Sequence, residues 1–148
     1  MAVFSLYNLL DKDGIYCTHI RQLVIRRQQA LYAALGEPWR YDPPSSHYYT
    51  TLDFAQLCEA RHGAAMVAWL RATFEPIDVV VRLALRDGII LLPGRGFEAP
   101  DWCVRVSLAN LPEAAYTIVG RAILEQMGRY NDLYMEAQAT AQDEPAAT

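Results

Sequence analysis

The chain is poor in lysine: Lys12 is the only one, and the other twelve basic residues are all arginine. Chemistry that needs an amine nucleophile has a single candidate, and that candidate sits in an acidic turn, Asp11-Lys12-Asp13-Gly14. Cysteine is also scarce. Cys17, Cys58 and Cys103 are an odd, widely spaced set, which fits a reducing compartment and excludes a disulfide framework. Cys17 and His19 are two apart on a predicted helix and point away from each other, so they read as packing residues and not as metal ligands. There is no apolar stretch long enough to cross a bilayer; the run Val79–Leu85 is interrupted by Arg82. Met1 to Leu10 has neither a basic start nor a small-residue cleavage site, which argues against a secretory signal. These absences predict a soluble, cytoplasmic protein with no membrane partner. An excess of positive charge is missing too. The net charge is -4 and the arginines are scattered apart from Arg26–Arg27, which excludes nucleic acid as the expected partner. No Ser–His–Asp arrangement, nucleophile motif or internal repeat is present.

What remains is an apolar chain, 53% hydrophobic over 148 residues, enough for a packed core in one domain or one lobe of a larger enzyme. Val3, Phe4, Leu6, Tyr7 and Leu10 form a helix-like apolar run at the start, a surface that would need covering. A long helix follows over residues 15–35, with Ile20, Leu23, Val24, Leu31 and Leu35 near the 3.6-residue period. Gly36 closes it and Pro38 prevents its continuation. Residues 37–47, with Pro43-Pro44 at the centre, read as a linker and lobe boundary. Residues 1–46 are accordingly expected to be a helical segment with its linker, 47–136 a small α/β domain, and 137–148 a disordered tail.

Inside that domain, Tyr48 to Leu52 reads as a strand. Asp53 and Gln56 stand at capping-box spacing for a helix that breaks near Gly63 and resumes to Phe74. Pro76 and Asp78 open a further helix that runs to Arg86. Ile89-Ile90-Leu91-Leu92 reads as a short apolar strand, Gly94-Arg95-Gly96-Phe97 as a tight loop, and Cys103 to Ala109 as an alternating strand. Asn110 and Glu113 are spaced to cap a last helix whose predicted buried stripe is Ala115, Ile118, Val119, Ala122, Ile123, Met127 and Tyr130.

Arg105 carries most of the chemical information. It lies in a strand whose other face is apolar, and a half-buried guanidinium needs an anionic or hydrogen-bonding partner. Its planar fork matches a carboxylate, so it is either a substrate clamp or half of a structural ion pair. The glycine pair Gly94 and Gly96 before Phe97 allows close backbone approach, either to a ligand or within a plain connection. His47, Tyr48 and Tyr49 at the linker's end read as boundary residues with one wet side.

Several segments together resemble a known family: Ala2-Val3-Phe4-Ser5-Leu6, the helix Arg21 to Gly36 around Val-Ile-Arg-Arg, Tyr48-Tyr49-Thr50 with Leu52-Asp53, Ile90 to Phe97, and Arg105 to Leu111 (Arg-Val-Ser-Leu-Ala-Asn-Leu). They are similar to the C-terminal part of pyridoxal-phosphate-dependent aspartate 4-decarboxylase, in the fold-type-I aminotransferase family. The resemblance implies a small C-terminal α/β lobe, its sheet covered by helices and preceded by a long linking helix. It implies that Arg105 holds a substrate carboxylate, with Gly96 and Phe97 beside it. It implies an aspartate-like amino acid as substrate and pyridoxal 5'-phosphate as the cofactor, held elsewhere by a lysine in a segment that this chain does not match. As partners it implies a homo-oligomer or a complex with the missing large domain. The alternative is a non-catalytic binding or interaction subunit derived from such a lobe.

Overall fold

The computed structural model describes residues 10–11 and 13–143. Lys12 and the apolar run up to residue 9 lie outside the described residues. The chain forms two compact units that are interleaved along it. One comprises residues up to Thr50 together with Ser107–Gly120; the other comprises Thr51–Val106 and the residues from Arg121 onward.

The first unit is organised by helix α1 (Ile15–Leu35). Its periodic leucines and valine do what their spacing predicts: Val24, Leu31 and Leu35 are buried. Gly36 ends the helix in the left-handed region at φ 69°, where a side chain would clash with the backbone. Its N–H donates to the Ala33 carbonyl, and the N–H of Glu37 donates to Tyr32, so the last carbonyls are satisfied. The unit's other part is the beginning of the last helix, which starts at Glu113, so that Asn110, the predicted cap, lies three residues before it. Pro112 takes the place before the helix, and its carbonyl accepts the Ala115 N–H. Five of the seven residues of the predicted stripe, Val119, Ala122, Ile123, Met127 and Tyr130, are buried; the difference is in the first turn. Ile118 is 63% exposed, and Tyr116, absent from the predicted stripe, is fully buried. The Tyr116 hydroxyl explains the difference: it donates to the Ser107 carbonyl at 3.0 Å and accepts the Leu111 N–H at 3.3 Å, pinning the loop before its own helix. Gly120 is where α1 and this helix touch. A Cβ there would lie 2.7 Å from Ala34 Cβ and 2.9 Å from the Leu31 carbonyl oxygen.

The second unit holds most of the sheet. Strand β1 (Tyr49–Asp53) leads into α2 (Phe54–His62), whose N-terminus is capped by Asp53 accepting from the Gln56 N–H at 2.9 Å. Gly63, at φ 87°, separates α2 from α3 (Ala64–Thr73), as its position predicts. Helix α4 (Ile77–Asp87) follows, with Val79, Val80 and Leu83 buried. Strand β2 is only Leu92–Pro93 and starts later than the predicted Ile89–Leu92 strand. Ile90 is 83% exposed, so the apolar run does not fix the strand. A proline is tolerated because the strand order is β1-β3-β2, which makes β2 an edge strand with no ladder bond required on its outer side. A 3₁₀ turn, Gly94–Phe97, connects β2 to β3 (Cys103–Ser107). β2 and β3 are antiparallel, with Leu92 opposite Arg105 and Pro93 opposite Val104. The last helix, α5, spans Glu113–Asp143, and so continues into the segment expected to be a tail.

The core of this unit is aromatic and carries one polar knot. Phe54, Phe74 and Tyr130 meet edge to face at 5.9 and 5.1 Å between centroids. The Asp78 carboxylate accepts from Arg82 Nε and, at 2.9 Å, from the fully buried Tyr130 hydroxyl. The Arg82 guanidinium lies over both the Phe74 and Tyr130 rings. Burial first, then the hydrogen bond that its hydroxyl donates to Asp78, pushes the Tyr130 phenol above its ordinary value.

The thiols divide clearly. Cys17 is exposed, and Cys58 and Cys103 are buried. Ellman's reagent is therefore expected to label one thiol per native chain, and all three in denaturant. Cys17 should react more slowly than a model thiol, because desolvation and the adjacent Asp11 carboxylate raise its pKa. Burial pushes the Cys58 thiol up to about 12 from 9.0. An unfolded chain loses that proton at lower pH than the native one, so stability is complete below pH 9 and falls between there and about 12. The slope from this group is about 1.4 kcal/mol per pH unit. Urea melts from pH 8 to 11 check it, and Cys58→Ala should flatten the decline.

Candidate functional site

Arg105 stands in the middle of β3, between buried Val104 and Val106, and is itself half-buried. The strand's alternation turns its side chain away from the face that those two valines occupy. The antiparallel register brings exposed Leu92 opposite it. The 3₁₀ turn then folds back over the strand, and the Arg105 guanidinium carbon lies 4.0 Å from the centroid of the Phe97 ring. The negative face of an aromatic ring attracts a guanidinium, whose N–H donors lie in its own plane. Arg105 has further interactions besides Phe97, so the ring is one restraint among several. Two of the three predicted site residues, Arg105 and Phe97, thus form a single contact.

The glycine pair divides unequally. A Cβ at Gly94 would fall 2.7 Å from Cys103 Cβ and 3.0 Å from the Cys103 carbonyl oxygen, so the turn's close approach to β3 requires glycine at this position. A Cβ at Gly96 would meet nothing within 4 Å. Gly96 is exposed beside Phe97, and it is Gly94 that seats the turn on the strand. Glu98, which ends the turn, is in the left-handed region at φ 59°. The rim carries a second arginine, Arg95, 3.8 Å from Asp101; both side chains are well exposed, and such a pair contributes little.

Sequence reasoning missed how the loop after β3 is held. One nitrogen of Arg27 donates to the carbonyls of Leu108 at 2.9 Å and Ala109 at 3.0 Å, within the first unit. Arg27 is one of the Arg26–Arg27 pair, but nothing in helical spacing indicates that it reaches a segment 81 residues away. Its neighbour Arg26 makes an exposed pair with Glu113 at 3.4 Å.

Among the described residues, no group of three or more His, Cys, Asp or Glu side chains could hold a metal, and no helix is long and apolar enough to cross a membrane. Pyridoxal phosphate, which the resemblance implies, needs a lysine amine for covalent attachment. The described residues contain no lysine, since Lys12 is not among them.

The chain is a small α/β structure in which an arginine lies over an aromatic ring. Over 123 residues, 83% of its length, the chain is 39% identical to the bifunctional aspartate aminotransferase and L-aspartate beta-decarboxylase of a Pseudomonas species, and it spans 23% of that protein's length. The resemblance read from the sequence holds: the chain is similar to a portion of an aspartate aminotransferase/decarboxylase. No protein-family profile matches it.

Proposed function

We propose that Arg105 is a clamp for the carboxylate of a small dicarboxylic amino acid. On this reading the chain is the substrate-binding, C-terminal portion of a fold-type-I, pyridoxal-phosphate-dependent aspartate 4-decarboxylase or aspartate aminotransferase. Such an enzyme takes L-aspartate to L-alanine and CO2, or moves its amino group. The observation that carries the proposal is the 4.0 Å stack of the Arg105 guanidinium on Phe97 from a half-buried strand position. The stack restricts the arginine's rotamers before a ligand arrives, so less entropy is lost on binding. A planar guanidinium fork matches a carboxylate through two parallel bonds. Similarity to an enzyme whose name specifies aspartate supports the choice of ligand. The lysine chemistry would come from a large domain, in the same assembly or in a homo-oligomer. The alternative, a non-catalytic subunit that only binds, keeps the same clamp.

Calorimetry or NMR titration of the chain with L-aspartate tests the clamp. Wild type is expected to bind weakly, with Kd on the order of 1 mM, and Arg105→Ala to lose at least about tenfold. Arg105→Lys should fail to rescue, because an ammonium cannot form the planar fork. Phe97→Ala should weaken binding by about three- to fivefold, the contribution of a partly exposed cation–π contact. Equal binding by wild type and Arg105→Ala would remove the proposal.

A further inference from the structure

We infer that the cavity lined by Tyr16, Cys17, Ile20, Arg21, Ser45, Ser46 and Tyr48 is a binding site for a small tetrahedral oxyanion, namely a phosphate group. It belongs to the first unit and shares no residue with the Arg105 clamp, so the two readings stand or fall separately. The cavity measures 330 Å³, room for a phosphate and a small substituent.

Its donors come from two directions. Arg21, on α1, supplies the fixed charge. One of its nitrogens is committed to the Pro43 carbonyl, and the guanidinium carbon lies 5.8 Å from the Tyr41 ring centroid. The Tyr41 ring is in turn stacked on His47 at 5.4 Å, nearly parallel at 16°. His47 is 2% exposed and anchored through Nδ1 to Gln28 Oε1 at 2.8 Å. The cationic side chain is thus held by a stack that reaches into the buried part of the unit, and a pre-placed donor loses less on binding.

The hydroxyls come from the linker. Ser45 Oγ accepts the His47 N–H at 3.1 Å, and Ser46 Oγ faces the Tyr48 N–H at 3.5 Å. A hydroxyl that accepts from the backbone retains its own hydrogen to donate elsewhere. His47 itself is in the left-handed region at φ 57°, a strained conformation for a residue with a side chain. That turn sets Ser45 and Ser46 on one side of the histidine and Tyr48 on the other, all three lining the cavity. A planar acid is met best by two coplanar donors, whereas a guanidinium edge plus hydroxyls from a separate segment suits an acceptor with oxygens in three dimensions. Asp11 is a carboxylate beside the first turn of α1. It is committed to the N–H groups of Tyr16 and Cys17 at the start of α1, at 3.1 and 3.0 Å.

The test uses the whole chain, 15N-labelled, titrated with inorganic phosphate at constant ionic strength. Saturable shifts are expected for the amides of residues 45–48 and Arg21. Arg21→Gln should weaken binding at least about tenfold. Because that change also breaks the tie to Pro43, Ser46→Ala provides a second reading: it leaves the tie intact and should cost about threefold, one neutral hydrogen bond. Arg71→Gln, in the other unit, should bind as wild type does. Methyl phosphate in a parallel titration separates the two sources of the group. Tighter binding of the ester assigns the site to an organic phosphate lying along Ile20, and equal or weaker binding assigns it to free phosphate. Shifts that do not saturate, that survive Arg21→Gln unchanged, or that acetate reproduces at equal concentration would overturn the site.

Discussion

Gly120→Ala is expected to lower the stability of the chain by about 2–3 kcal/mol, at the upper end of what overpacking by one methyl costs. The reason is what the methyl would meet. Its nearest neighbour is the Ala34 Cβ at 2.7 Å, which has no rotamer to change, and the next is the Leu31 carbonyl oxygen at 2.9 Å, which is backbone. Neither can yield without moving α1 bodily. Leu31 and Leu35 are fully buried on that helix, so a shift there opens their packing as well. In most helices alanine would be the stabilising choice, worth about 1 kcal/mol over glycine. Chemical denaturation of Gly120→Ala decides which effect wins: a midpoint equal to or above that of wild type would mean the two helices are not in contact at this position.

Asp78→Ala is expected to cost about 2–3 kcal/mol, from the loss of one acceptor that serves two donors. Tyr130 is fully buried, and its hydroxyl would be left without the Asp78 carboxylate. Arg82 would lose the carboxylate that holds it over Phe74 and Tyr130. The Asp78 and Arg82 side chains retain 28% and 39% exposure, so water recovers part of the loss, and the figure stays below that of a sealed ion pair. Asp78→Asn should cost less, since the amide oxygen can still accept from Tyr130. The substitution also has a spectroscopic signature. Asp78 helps raise the Tyr130 phenol, so tyrosinate should appear at lower pH in Asp78→Ala than in wild type, seen by absorbance near the alkaline limit. An unchanged titration and unchanged stability together would show that the knot is ornamental.

Local rules in the sequence suffice where one residue's backbone preference decides the structure. Gly36 ends α1 because it accepts the left-handed conformation, Gly63 separates α2 from α3 for a related reason, and Asp53 caps α2 through a bond that spans three residues. The half-buried setting of Arg105 followed from the alternation of β3. The rest depends on groups distant in sequence. Ile118 and Tyr116 are two residues apart and both apolar in bulk; only the presence of the Ser107 carbonyl selects the tyrosine for burial. The run Ile89–Leu92 has strand composition throughout, yet only its last residue pairs, because β3 offers a partner there and a 3₁₀ turn follows. The stack of Phe97 on Arg105 was invisible for the same reason. Each residue was a candidate by itself, and the turn that joins them depends on Gly94 lying against Cys103.

The interleaving of the two units governs how this protein can be dissected. The chain passes between them at Thr50–Thr51, at Val106–Ser107 and again at Gly120–Arg121. No single stop codon or proteolytic cut can release either one intact, because each is assembled from two separate stretches. Isolating one calls for excising an internal stretch and rejoining the ends with a short linker. The first crossing lies inside β1, the second at the end of β3 and the third inside α5, so every such suture severs a strand or a helix. Deletion series that march inward from either terminus should therefore lose solubility abruptly and not in steps.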